Sequence, residues 1–157
     1  MSDPSRPARA AADKIRLMTA GRASPVKKID VILAAVSELP SNETAFSNIR
    51  NVPYREMPAV YREHDIFISM SATGSVDKAV LEAMACGLTV IVANEAFRDI
   101  LPARYFLERR DPKLLAERIR QLAGEPRPNL ELRAIVEKNH SLPNTIQKIA
   151  KHLGLVS

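Results

Sequence analysis

One unit in the middle of the chain constrains its fold most strongly. Two apolar stretches, residues 66–70 and 89–93, flank a segment that opens with Thr73-Gly-Ser and closes at Gly87. Apolar residues recur at helical spacing inside that segment, at Val76, Ala79, Val80, Ala83 and Met84. The pattern predicts a strand, a glycine-containing turn, a helix and a return strand, which is the βαβ unit of an α/β protein.

The ends of this helix predict a ligand position. Ser75 is a suitable N-cap, Asp77 then falls in the first turn, where a negative charge suits the dipole, and Gly87 is the expected C′ residue. A helix that begins just past the carboxyl end of a sheet strand directs free N–H groups into a crevice. Phosphate groups favour that position, so the unit predicts an anion site.

The length and composition are those of one ordinary globular domain. The chain has 157 residues, of which 46% are hydrophobic and 26% charged. We interpret residues 1–13 as a tail or linker and residues 14–157 as a single domain. Because the sequence has no membrane-length apolar run and residues 1–14 lack a signal-peptide core, we expect a cytoplasmic location.

The single cysteine and the three histidines argue against a metal site. Cys86 cannot form an internal disulfide or a multi-cysteine zinc site, and we expect it to be a small buried side chain. His64, His140 and His152 have no ligand spacing, so no metal is expected.

The net charge of +5 is unevenly distributed. Residues 1–30 carry +4, residues 31–102 carry −4 and residues 103–157 carry +5. The basic ends suit solvated helix faces, and contact with an anionic membrane surface, such as the inner face of a membrane, or with nucleic acid is the open alternative. No nucleic-acid motif is present, so we expect no nucleic-acid partner.

Strands and helices alternate along the chain. The predicted strands are residues 15–20, 47–52, 66–70, 89–93 and 105–107, and residues 40–46 form a polar connection. The predicted helices are residues 29–39, 57–64, 76–86, 112–123 (capped by Asp111), 130–139 and 142–153. This order indicates a doubly wound parallel sheet with helices on both faces.

Several segments resemble the group 1 (family 4) glycosyltransferases. The most specific pair is Gly21-Arg-Ala-Ser-Pro-Val-Lys27 and Leu81-Glu-Ala-Met-Ala-Cys-Gly87. Further matching segments follow in register at Ile29-Asp30, Val52-Pro53, Met57, Tyr61, residues 64–69, Val90-Ile91 and residues 132–142. The resemblance implies a Rossmann-like single lobe of a GT-B-type enzyme with C-terminal helices. It would be the lobe that holds a nucleoside-diphosphate sugar donor.

The resemblance also implies roles for individual residues. By motif position, Arg22 and Lys27 would grip the donor diphosphate, and Glu82 would hydrogen-bond the ribose. The N–H groups near Ser75 and Val76 would face the phosphates. Fixed cations and a helix N-terminus can stabilise a departing diphosphate without a metal, so no cofactor besides the donor substrate is expected. Transfer with retention of configuration is likewise implied by the family.

Each of these roles has a structural alternative. Arg22 and Lys27 can be exposed loop cations. Glu82 lies four residues after Lys78, so a surface ion pair is available to it. Asp77 can simply compensate the helix dipole, and its other interpretation is a contact with the donor sugar in a catalytic role.

The chain departs from the family pattern in two places. Gly74 occupies the position of a second glutamate that contacts the donor sugar in relatives, so Asp77 or a backbone group, such as that of Gly74, would have to supply this contact. Residues 40–51 replace a longer segment, and a strand and a crossover helix are expected to be absent. The strand predicted at residues 47–52 then either lies next to residues 15–20 or is poorly ordered.

These observations leave three interpretations open. The first is the donor-binding lobe of a retaining glycosyltransferase that needs an N-terminal acceptor lobe, so that the isolated chain has little or no activity. The second is a degenerate, non-catalytic binding or assembly module. The third is an α/β domain whose basic ends bind nucleic acid or a membrane. In each case the apolar stripe of residues 142–153 must fold back, meet an acceptor lobe or form a homo-oligomer.

Overall fold

The computed structural model describes residues 14–21, 25–74 and 76–138. Its strands are β1 (Ile15–Ala20), β2 (Thr44–Ile49), β3 (Ile66–Ser69) and β4 (Thr89–Val92). Its helices are α1 (Ile29–Ser37), α2 (Met57–Arg62), α3 (Lys78–Ala85), α4 (Pro112–Leu122) and α5 (Leu130–Lys138). Short 3-10 turns lie at Pro25–Lys27, Tyr54–Glu56, Glu95–Phe97 and Ala103–Tyr105.

The four strands form one parallel sheet in the order β2-β1-β3-β4. The α1 helix packs against α4, and α3 packs against α5. Parallel crossovers are right-handed, and the chain turns one way from β1 to β2 and the other way from β2 to β3 and β4. The two helix pairs therefore cover opposite faces, which confirms the predicted doubly wound, Rossmann-like α/β architecture.

The core lies on both sides of β3 and β4, the two strands of the βαβ unit. Every residue of β3 and β4 is buried, as parallel strands covered on both faces should be. On α3 the buried residues include Val80, Ala83 and Met84, and Cys86 is buried just past the helix end, as expected. Gly87 has a φ of 87°, which only glycine adopts readily, so it ends α3 as predicted.

The segment from residue 40 to residue 51 forms an ordered strand beside β1. All six residues of β2 pair in parallel with β1, from Ile15 opposite Thr44 to Ala20 opposite Ile49. Of the two outcomes expected for this shortened region, the structure has the strand next to residues 15–20. Its predicted bounds of 47–52 were three residues too late, because the polar residues at 41–44 concealed the start of a strand at the edge of the described sheet.

Other predicted elements are confirmed or corrected at their ends. Asp111 caps α4 by accepting a hydrogen bond from the Lys113 N–H at 2.9 Å, with Pro112 at the first helical position, as predicted. The predicted strand at 105–107 is only a single bridge between Phe106 and Val92, because Ala103–Tyr105 forms a 3-10 turn directly before it. The helix predicted at residues 142–153 lies outside the described residues.

The buried carboxylate of Asp65, directly before β3, connects this strand to its neighbours. Asp65 is 4% exposed, and its Oδ2 accepts a hydrogen bond of 2.7 Å from the Arg16 N–H at the start of β1. The same side chain forms an ion pair with Arg127, which lies just before α5. This pairing connects the sheet to the segment that leads into α5.

Candidate functional site

The site begins where the strand order reverses. The crossover from β1 goes to β2 on one side, and the chain from β3 goes to β4 on the other. The carboxyl ends of β1 and β3, at Ala20 and Ser69, therefore border a crevice that neither crossover covers. In open parallel sheets this switch point is where ligands bind.

Lys27 connects the two loops that border this crevice. It ends the 3-10 turn after β1, and its Nζ lies 3.9 Å from Asp77 Oδ2 at the start of α3. Gly21 lies beneath the lysine, since a Cβ atom built there would be 3.6 Å from Nζ. The φ of Gly21 is 104°, so a side chain at this position would also strain the turn.

Asp77, rather than Ser75, is the N-cap of α3. Its backbone is extended, with φ −82° and ψ 118°, and its Oδ1 accepts a hydrogen bond of 3.0 Å from the Ala79 N–H. The predicted Ser75 cap was therefore wrong, and the helix begins at Lys78 instead of Val76. Aspartate and serine cap helices about equally well, so the residue types alone could not choose between them.

Two of the predicted donor contacts lie outside the described residues. They are Arg22 and Ser75, whose roles stay predictions. Val76 is described and half-buried, in the extended segment before α3. The structure thus brings Lys27 and the start of α3 together and leaves the position of Arg22 open.

Glu82 is held by a tyrosine from another helix. Tyr61, which is 2% exposed on α2, donates a hydrogen bond of 2.9 Å from its hydroxyl to Glu82 Oε1. Burial raises the pKa of Glu82, and the charge of Asp77 raises it further. The Tyr61 hydrogen bond and, more weakly, Lys78 lower the pKa of Glu82. The carboxylate therefore faces α2, where it accepts the hydrogen bond from the tyrosine.

Sequence reasoning missed the role of Tyr61. A buried tyrosine hydroxyl needs a polar partner, and Tyr61 stood among the matching motif positions, so a signal was present. The partner could not be named from the sequence, because it depends on how α2, in the crossover from β2 to β3, packs beside α3.

An arginine holds the loop that leads from β3 to α3. Arg110 Nε donates to the Met70 carbonyl at 2.8 Å, and its Nη2 donates to the carbonyls of Ser71 at 2.7 Å and Ala93 at 3.3 Å. These three carbonyls follow β3 and β4 directly. Arg110 therefore fixes the start of the loop that carries Gly74 and Asp77, a role that no spacing in the sequence indicated.

Gly74 stands where the resemblance implies a second glutamate. Its φ is 75°, and a Cβ atom built there would lie within 4 Å of no atom in the described part of the chain, its chain neighbours aside. A side chain at this position would strain the backbone. The described residues place no carboxylate at this point, and Asp77 is the acidic residue nearest to it in sequence.

A cleft adjoins the crevice at the ends of β1 and β2. It has a volume of about 450 Å³. Its lining residues are Ala20, Gly21, Ile49, Arg50, Asn51, Val52 and Met57. Sequence reasoning missed it, because the shortened segment before residue 52 gave no sign that β2 would end beside β1.

The described residues contain neither a cluster of metal-ligating side chains nor a helix of membrane-spanning character. Within residues 14–21, 25–74 and 76–138, no group of three or more histidine, cysteine or acidic side chains is arranged to hold a metal ion. No helix in the described part of the chain is long and apolar enough to cross a membrane. His140 and His152 lie outside the described residues.

Comparisons with known structures place the fold. The catalytic domain of cholesterol-alpha-glucosyltransferase from Helicobacter pylori matches with a TM-score of 0.63 and 17% identity, over 89% of this chain and 97% of that one. Sucrose-phosphate synthase from Thermosynechococcus elongatus matches with a TM-score of 0.72 and 16% identity, over 92% of this chain and 45% of that one. Anabaena Alr3699/HepE, solved in complex with UDP and glucose, matches with a TM-score of 0.64 and 15% identity, over 90% of this chain and 48% of that one.

The chain thus spans about half the length of the second and third of these structures. At these identities the likeness establishes the fold. No curated protein matches the sequence significantly. The sequence profile described as Glycosyl transferases group 1 matches residues 9–125, which is well over half of the chain. The chain therefore belongs to the group 1 glycosyltransferases.

Proposed function

We propose that this chain is the donor-binding lobe of a glycosyltransferase that transfers a hexosyl group from a nucleoside-diphosphate sugar with retention of configuration. The observation that carries the proposal is the approach of Lys27 to the start of α3, at 3.9 Å from Asp77. A cation and a helix N-terminus on two neighbouring loops are the features that a diphosphate requires.

The diphosphate would bind between the loop after β1 and the start of α3. As the glycosidic bond to the donor breaks, negative charge accumulates on the departing diphosphate. Lys27, and Arg22 from the same loop, would stabilise that charge together with N–H groups near Ser75 and Val76. Removing one such preorganised donor typically costs about 3 kcal/mol of transition-state stabilisation. No cofactor and no metal enter this proposal.

The nucleoside would occupy the adjoining cleft of about 450 Å³. This cleft shares Gly21 with the crevice, so a nucleotide could place its base in the cleft and its phosphates beside Lys27. Glu82 would accept hydrogen bonds from the ribose hydroxyls. The related structure of Anabaena Alr3699/HepE contains UDP and glucose, which supports a nucleotide-sugar ligand for this fold.

Turnover would need an acceptor lobe from outside the described residues. Two of the related structures are about twice as long as the region they share with this chain. The apolar stripe predicted at residues 142–153 would pack against such a lobe or against a second copy. The basic charge of residues 103–157 would favour peripheral contact with the inner face of a membrane.

A second candidate function is nucleotide-sugar binding without chemistry. Gly74 favours it, because the second glutamate of the family pattern is missing there and the described residues offer no carboxylate in its place. Asp77 or a backbone group would have to replace that sugar contact. Binding without transfer, even in the presence of an acceptor lobe, would distinguish this candidate from the first.

Calorimetric titration with UDP-, GDP- and ADP-glucose tests the proposal. We expect one of them to bind the chain and Lys27→Met to weaken that binding at least about tenfold, a change of 1.4 kcal/mol. Lys113→Met, an exposed lysine on α4, is the matched control and should leave the affinity unchanged. Absence of binding by all three compounds, or equal binding by Lys27→Met, would refute the proposal.

A further inference from the structure

We propose that Asp77 competes with the donor's diphosphate from within the site, so that its carboxylate lowers the affinity of this lobe for nucleoside diphosphates. The inference rests on the proposed function, since it concerns the same crevice. It assigns to Asp77 an effect on donor affinity that differs from both a sugar contact and simple helix capping.

The two oxygens of Asp77 engage the groups that a phosphate would use. Oδ1 accepts the Ala79 N–H at 3.0 Å, which is one of the free donors at the start of α3. Oδ2 lies 3.9 Å from Lys27 Nζ. A phosphate that binds between the lysine and the helix must therefore displace this carboxylate or bind next to it.

Burial makes this competition stronger than it would be on an open surface. The side chains of Asp77 and Lys27 are only 17% and 29% exposed, so water screens their interaction weakly. The charge of Asp77 also acts on Glu82, in the middle of α3, and raises its pKa. A diphosphate with two or more negative charges would meet a repulsion from Asp77 that is likewise weakly screened.

Capping alone does not require this arrangement. Asp111 caps α4 in the same way, with a hydrogen bond of 2.9 Å from the Lys113 N–H. That helix packs on α1, on the opposite face of the sheet from α3. Asp77 differs from Asp111 in pairing with a lysine from the loop after β1.

The test separates the charge of Asp77 from its capping role. Asparagine and serine cap helices about as well as aspartate, so Asp77→Asn and Asp77→Ser remove the charge and keep the cap. Titrations with UDP, GDP and ADP, and with the matching uncharged nucleosides, compare both variants with the unmodified chain. Asp111→Asn, which makes the same change on α4, is the control, and thermal unfolding verifies that each variant is folded.

We expect the nucleoside diphosphate to bind Asp77→Asn and Asp77→Ser at least about tenfold more tightly, while nucleoside affinity changes less than about twofold. Asp111→Asn should have no effect on either. This increase in affinity should be smaller when Lys27→Met is added, because the lysine that Asp77 no longer pairs with is the group that binds the diphosphate.

Two failures are distinguishable. If the chain binds a diphosphate and the Asp77 variants bind it equally or more weakly, this inference is wrong and the proposed function stands. If neither the unmodified chain nor a folded Asp77 variant binds any of the three diphosphates, both the inference and the proposed function are wrong.

Discussion

The Tyr61 hydroxyl donates a hydrogen bond of 2.9 Å to Glu82 Oε1, and this contact joins α2 to the middle of α3. Tyr61 is buried against Phe67 of β3, with ring centroids 6.2 Å apart, so its own position is fixed by the core. The orientation of Glu82, the residue proposed to bind ribose, thus depends on a side chain from a different crossover.

Replacing Tyr61 with phenylalanine should raise the pKa of Glu82. The hydrogen bond from the tyrosine lowers that pKa, whereas burial raises it. Without the hydrogen bond, the net increase of the pKa above its ordinary value is larger. We also expect the free energy of unfolding to fall by about 1 kcal/mol, the typical net value of one hydrogen bond. Carboxyl NMR titration and urea denaturation measure the two effects.

Tyr54→Phe is the matched control for that variant. Tyr54 is 61% exposed. Burial raises the pKa of Tyr54, and the charge of Glu82 raises it further. The Tyr54→Phe substitution should leave the titration of Glu82 nearly unchanged. An unaltered pKa of Glu82 in Tyr61→Phe would contradict the role assigned to the hydrogen bond.

The charge of Glu82 should reduce stability as the pH rises. Its pKa in the folded chain lies above the ordinary value of 4.5, so folding favours the protonated form. The stabilisation that protonated Glu82 contributes is complete below the ordinary pKa. It is lost as the pH rises through the raised pKa of the folded chain. Relative to Glu82→Gln, the unmodified chain should therefore lose stability over that window.

Urea denaturation at several pH values between about 4 and 8 checks this expectation. The stability difference should grow in favour of Glu82→Gln with increasing pH. Glu63→Gln, at an exposed position after α2, should give no such trend. A difference that does not vary with pH would show that the burial of Glu82 has no effect on its titration.

Arg110→Met should destabilise the chain by about 2 kcal/mol, because it leaves the carbonyls of Met70 and Ser71 without their charged donor. Arg109→Met, at the exposed preceding residue, should cost little. Urea denaturation of both variants measures the difference. Equal stability of the two would show that Arg110 does not fix the loop after β3.

Asp65→Ala should be among the more damaging substitutions. It removes the acceptor of the Arg16 N–H and leaves the partly buried Arg127 without its carboxylate, which typically costs about 3 kcal/mol. Asp65→Asn should cost less, because an amide oxygen can still accept the hydrogen bond. The exposed Asp99→Ala is the control, and a loss similar to the control would contradict this account.

The sequence predicted the βαβ unit around α3 well, because helical spacing, two buried strands and Gly87 all indicate the same arrangement. It misplaced the helix start, since Ser75 and Asp77 are both good caps two residues apart. The choice depends on the path of the loop, which Arg110 fixes from a distant part of the chain. Local patterns do not carry that information.

The candidate site was predictable only where a loop follows a strand directly. The approach of Lys27 to α3 follows from the adjacent β1 and β3, so motif position and topology agree. The cleft beside Gly21 depends on β2 lying next to β1, and the contact between Tyr61 and Glu82 depends on how α2 packs. Both are tertiary consequences of the shortened segment after α1 and the crossover that follows.

The most direct test of the proposed donor site is residue-resolved NMR of the chain during titration with UDP, GDP and ADP. We predict that one nucleotide shifts the amide signals of Gly21, Lys27, Lys78 and Ala79 in a saturable way. Signals at the opposite end of the strands, such as those of Asp65 and Thr89, should stay in place. Shifts confined to other regions, or none with any of the three nucleotides, would contradict a diphosphate site between β1 and α3.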